Sequence, residues 1–170
     1  MALDYTSAGD AMEAAIQDQI ERETPLSLQD MAHELAVVYR DYSKQATLPG
    51  ADLSAGGTLS LLETAFTVSD PASQVTKLAT GVCAYWATCA APGLPAHGGT
   101  AVLSVVIPGP SVQAAMEAAI RGLVTDQAVP VPFRKFYQTT ESVVKTIPCV
   151  VTEMIPGTPP VPTPFPEFIS

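Results

Sequence analysis

Apolar positions recur at helical spacing through the front half of the chain. Ser7 followed by Asp10 resembles a weak capping box, and Met12, Ala15, Ile16 and Ile20 then mark a short, narrowly apolar helix to about Arg22. Thr24-Pro25 restarts the pattern, with Pro25 suited to a first helical turn or Ser27 to a cap one step later. Leu28, Met31, Leu35, Val38, Tyr39 and Tyr42 then fall within roughly a 100° arc, while Gln29, Asp30, Glu34, Arg40 and Lys44 lie outside it. This second helix stops before Pro49-Gly50, and Ala51 to Thr58, with Gly56-Gly57, reads as a loop.

Beyond that loop the period is less uniform. Thr58 to Val68 is short enough to suit a helix or a strand, and a helix is the expectation. Ser69-Asp70-Pro71 starts a helix that carries Val75, Leu78, Ala79, Val82, Trp86 and Cys89 on one face as far as about Ala90. Pro92-Gly93, Pro95 and Gly98-Gly99 mark a loop, after which Ala101 to Ile107, rich in Val and Ile, predicts a strand ended by Pro108-Gly109-Pro110. Ser111 is the expected cap of a further helix with Val112, Ala115, Met116, Ala119, Ile120 and Leu123 on one side. Ala128 to Phe133 has two prolines and permits only an edge strand or an extended connector. Lys135 to Lys145 fits a helix and Ser142 to Glu153 fits a strand interrupted at Pro148; both readings stay open. The class expected is mainly α with a small β element.

Two features bear on organisation. Ser7-x-x-x-AMEAAI recurs as Ser111-x-x-x-AMEAAI, which ordinary helix chemistry explains and a duplicated helical unit would also produce. The last fifteen residues, PGTPPVPTPFPEFIS, hold six prolines and cannot form a core. Proline fixes φ and removes a donor, so this stretch should be extended and kept out of helices and central strands. The division expected is a helical body over 1–154 and an extended proline-rich arm over 155–170.

Composition changes the picture in one direction. Of the 170 residues 47% are hydrophobic and only 15% charged, little solvated surface for a lone body of this size. Such a balance points to surface covered by a protein partner, a homo-oligomer first. The net charge of -9 has the wrong sign for phosphate backbones, and Arg134-Lys135 is the only adjacent basic pair, so nucleic acid is not an expected partner. Acidity concentrates in Met1 to Lys44, where nine carboxylates face three basic residues. No run reaches the ~20 apolar residues of a membrane span, and the start lacks the basic region of a signal peptide. Cys83, Cys89 and Cys149 give no paired framework and are expected as reduced packing thiols, with pairing of Cys149 to a helical cysteine left open.

Candidate chemistry is sparse. His33 lies opposite its helix's apolar stripe, as a solvent-facing or rim side chain would. His97 sits in Ala-His-Gly-Gly-Thr, which is similar to the glycine-rich oxyanion loop of lipase-like hydrolases, but the G-x-S-x-G nucleophile of that family is missing. There is no metal-ligand spacing and no phosphate-binding loop, so no catalytic residue, metal or cofactor is assigned. Tyr39, Tyr42, Tyr85 and Trp86 at helical spacing read as core. The residues expected at interfaces are Phe133, Phe136 and Tyr137, an anchoring knob, together with Pro160, Pro162, Phe165, Phe168 and Ile169 of the arm.

An acidic helical front, a helix ending in Ala84-Tyr85-Trp86, a strand, a second Ala-rich helix and a proline-rich tail follow one another. In that order the chain resembles the small accessory structural proteins of tailed-bacteriophage virions. The resemblance implies a ring, collar, baseplate or capsid-decorating role in the virion, other virion proteins as partners, and a terminal arm lying across a neighbouring subunit. An adaptor that binds one partner through a polyproline arm is a second expectation, and a small hydrolase built on His97 a third.

Overall fold

The computed structural model describes residues 3–48, 51–52, 56–67, 70–96, 99–105, 109–125, 133–154 and 159–168. The described chain is mainly α-helical, with a smaller β part. Helices α1 (Tyr5–Glu21), α2 (Leu28–Ser43), α3 (Leu59–Phe66), α4 (Pro71–Ala87), α5 (Pro110–Thr125) and α6 (Phe133–Val144) form the body. Each packs mainly on the helices before and after it, and α6 returns to α1, so the six close into a cycle. Strands β1 (Thr47–Leu48) and β2 (Ala51–Asp52) make a small hairpin, and β3 (Ala90–Ala96), β4 (Gly99–Val105), β5 (Pro148–Met154) and β6 (Val161–Phe168) form one antiparallel sheet in that order.

The helix starts follow local chemistry. Asp4, not Ser7, caps α1: its carboxylate accepts from the backbone N–H of Thr6 and Ser7, and the Ser7 hydroxyl donates to it. The expected Ser7/Asp10 box fails because the helix starts one turn earlier, which places the Gly9 and Asp10 N–H groups inside it, where they have backbone carbonyl partners. Ser27 caps α2 by accepting from the Asp30 N–H. Pro71 opens α4 at a position whose N–H has no intrahelical partner anyway, and Pro110 does the same for α5, one residue before the expected cap Ser111. Thr58 to Val68 contains the short helix α3. The tract left open after Lys135 divides: α6 ends at Val144 and β5 begins at Pro148.

Trp86, Tyr39, Tyr85, Tyr137, Met12, Leu62 and Met116 fill the middle of the helical cycle. Met12 and Met116, equivalent positions of the AMEAAI echo, are both fully buried, and their helices lie on either side of α6. Two expected stripes are corrected. On α1 burial ends near Met12 and Ile20 is 70% exposed, because α6 approaches the front of the helix: a side chain on Gly9 would meet the Arg134 backbone. On α2 the buried line is Ala32, Ala36, Tyr39 and Ser43, with Tyr42 beside it, and Leu28 is 53% exposed. Small residues at the seam let neighbouring helices come close, and the larger apolar side chains move to its margin.

The sheet differs most from expectation. The stretch around Pro92-Gly93 and Pro95 is strand β3, paired with β4 through a register shift between Pro92 and Leu94. Strand β3 is a sheet edge, where proline is tolerated. Cys89, Ile147 and Cys149 belong to the body's core and root the sheet at one end. Beyond that root, the appreciable contacts between the sheet and the rest are α4 with β4 and β2 with β3. Ala128 to Pro132 lies outside the described residues, while Phe133 opens α6.

Candidate functional site

Among the described residues, three places bear on function. The first is the tyrosine cluster at the centre of the body. Spacing on α2, α4 and α6 delivers Tyr39, Tyr42, Tyr85, Trp86 and Tyr137 to one point. The Tyr39 ring stacks on Tyr137 with centroids 5.5 Å apart and meets Tyr42 and Tyr85 edge-on at 5.8 Å. Edge-on and offset pairs of this kind add to the area buried, because the ring edge is positive and the face negative. The Trp86 indole N–H donates to the Tyr39 hydroxyl at 3.1 Å, and Tyr85 and Ser43 share a hydrogen bond between hydroxyls. The Tyr42 hydroxyl donates to Glu141 at 2.8 Å, and Lys145 reaches the other carboxylate oxygen at 2.6 Å, so this buried acid is paired on both sides.

Burial removes water from the phenols and thiols here, and that disfavours their charged forms. Tyr39, Tyr42, Tyr85 and Tyr137 are all raised above the ordinary phenol value, chiefly by desolvation. Cys83 is pushed up to about 11 and Cys149 to about 11 by burial, and Cys89 to about 12 by burial and by Cys149 nearby. All three are free, buried thiols, as expected, and at neutral pH none has the thiolate that nucleophilic chemistry requires. Cys89 lies one residue beyond the pair Ala90 and Ser104, and Val105 pairs with Cys149. Two strand spacings, roughly 9–10 Å, therefore separate their backbones, too far for a disulfide without backbone movement.

The second place is an open cleft of about 700 Å³ lined by Gln29, Asp30, His33, Glu63, Thr64, Thr67 and Lys77. His33 is exposed, as its position opposite the apolar stripe implied, and its Nδ1 lies 2.5 Å from Glu63. The hydroxyls beside this pair are engaged: Thr64 donates to the Ser60 carbonyl and Thr67 to the Glu63 carbonyl. The cleft therefore holds a base and an orienting carboxylate, with its threonine hydroxyls turned to the backbone. Among the described residues no group of three or more His, Cys, Asp or Glu could hold a metal ion. His97 lies outside the described residues.

The third place is the last strand. Pro160 is exposed just ahead of β6, Pro162 is in it, and Phe165 and Phe168 pair by backbone with Cys149 and Pro148 at the rooted end of the sheet. Ile169 lies outside the described residues. Among the described residues, strand β5 is the only element in appreciable contact with β6. Of the expected knob, Phe136 and Tyr137 lie in the body's own core and Phe133 packs against it partly buried. No family model matches the chain, and no curated protein or solved structure matches it.

Sequence reasoning missed Glu141. Its signal was present: Phe136, Tyr137, Thr140, Glu141 and Val144 make one helical stripe, but two polar members hide it. Thr140 satisfies itself by donating to the Phe136 and Tyr137 carbonyls of its own helix. No helix among the described residues is long and apolar enough to cross a membrane.

Proposed function

We propose that this chain is a non-enzymatic structural or assembly protein, a ring- or lattice-forming component of a tailed-phage virion. Its arm, residues 155–170, latches onto neighbouring copies, and other virion proteins complete the contacts. The observation that carries this reading is the isolation of β6. It leans on β5 and on no other described element to an appreciable extent, so it can leave one sheet and join an equivalent one without disturbing the helical core. Proline lowers the entropy lost on docking, because the released strand is already restricted in φ. Two further features agree: the low share of charged residues, and a polar chemistry spent on packing.

Exchange of such an arm between copies adds interface without enlarging the body. Removing Gly157 to Ser170 and measuring particle size by sedimentation velocity tests the role. The expected result is a shift from an assembled species to a smaller one with the helical circular dichroism retained. An unchanged size rejects the latch, and a full-length protein of monomer mass favours an adaptor with a single partner.

A further inference from the structure

We infer that both rims of the four-stranded sheet are closed to strand addition by the phase of their prolines. Strand β5 is then the one place where the sheet receives a strand, filled by residues 161–168 of this chain or of a second copy.

Register and the missing proline donor fix the phase of both rims. In an antiparallel pair, opposed residues alternate between exchanging two hydrogen bonds and pointing both backbone groups away from each other. One row crosses the whole sheet: Pro162 opposes Thr152, Thr152 opposes Val102, and Val102 opposes Pro92. Because Pro162 has no N–H to give, this row is the non-bonded kind between β6 and β5. Thr152 must then face β4 and bond Val102, which leaves Pro92 facing away from β4. A proline thus stands at each end of the row, both with their nitrogens to the outside.

The other edge prolines agree. Pro164 opposes Val150, two residues from Thr152, and so also faces outward. Pro95 opposes Thr100, two residues from Val102 on β4, and faces outward too. That agreement depends on the register shift: three residues lead from Pro92 to Pro95 and two from Val102 to Thr100. In an unbroken register Pro95 would oppose Gly99, point its nitrogen at β4 and remove a ladder bond. The bulge therefore keeps two prolines in one phase.

The outer rim of β6 from Val161 to Phe165 accordingly presents carbonyls and no N–H, and on β3 the outward positions Pro92 and Pro95 likewise carry no N–H. A strand arriving from outside finds acceptors alone and cannot build a ladder. The inner side of β6 keeps its donors at Val161, Thr163 and Phe165, opposite Glu153, Val151 and Cys149. If copies share strands, the sharing is exchange at β5, which closes, and not addition at a rim, which would grow without limit. This inference holds whether or not the chain is a virion component.

Two variants of the full-length protein test it. Pro162→Thr with Pro164→Thr restores two outward donors while leaving the inward ones in place. It should associate further with rising concentration in sedimentation velocity, at concentrations where the parent does not change size. Thr163→Pro puts a proline in the opposite phase. It should speed amide exchange at Val151 by about tenfold or more while Val150 and Thr152, which face β4, stay protected. A double variant that keeps the parent's size with its circular dichroism intact, or a Thr163→Pro protein with Val151 still protected, would overturn the inference.

Discussion

The helical body and the four-stranded sheet are built on opposite principles. In the body each helix has two neighbours, and the interior holds large aromatic side chains, of which Trp86, Tyr39, Tyr42 and Tyr85 have their polar ends partnered across α2, α4 and α6. Removing any member disturbs several others. In the sheet each strand is held by its ladder, and beyond the root at Cys89, Ile147 and Cys149 few contacts tie it to the helices. The difference teaches that the contacts which hold the body together are many and mutual, whereas the last strand depends on a single ladder.

Alkali should have the largest effect, and it should act through the body. The buried thiols titrate at about 11 to 12 when folded against a reference of 9.0, and the buried phenols are raised above 10.0. An unfolded chain gives up these protons earlier than the native one, so the native state binds more protons and stability falls as pH rises. The contribution is whole below about pH 9 and is lost on the way to about pH 12. Tyrosinate absorbance should therefore appear together with the loss of near-ultraviolet circular dichroism. Independent titration of every tyrosine near pH 10 with the fold intact would contradict this.

Trp86→Ala comes next. It removes a fully buried indole and the donor to Tyr39, and should cost about 3–5 kcal/mol in urea unfolding. A cost below about 1 kcal/mol would mean that the centre of the cycle is loosely packed. A matched pair sharpens the view inside the cluster. Tyr42→Phe takes the hydroxyl from Glu141 and should cost about 1–2 kcal/mol, whereas the Tyr137 hydroxyl is buried with no hydrogen-bond partner among the described residues. Tyr137→Phe should therefore be neutral or stabilising, and equal losses for the two would refute the assigned partners.

How legible these parts were in the sequence follows the same division. Helices α2 and α4 were plain because their apolar residues keep a helical period over four turns or more, and Tyr39, Tyr42, Tyr85 and Trp86 could be placed in the core from spacing alone, whereas Tyr137 was expected at an interface. Leu28 and Ile20 were read into the apolar stripes and are exposed, since burial depends on which small residues, Gly9, Ala32 and Ala36, set the approach of neighbouring helices. Strand β3 was hidden by composition: Pro-Gly-Leu-Pro has the look of a loop, and it becomes a strand only as an edge with a bulge. The stripe of α6 was masked by Thr140 and Glu141, whose partners are either too local or, in Tyr42, too remote for spacing to reveal. Strand β6 was read as extended and outside any central strand, and it lies at the sheet edge.

Native-state hydrogen exchange in low concentrations of urea tests most directly whether the chain is a cohesive body with a separable strand. The account predicts that Cys149, Val151 and Glu153 amides, which face β6, open at a free energy well below that of the buried helical amides around Tyr39, Trp86 and Tyr137. Exchange of both sets through one common unfolding event, with the same free energy and the same urea dependence, would contradict it.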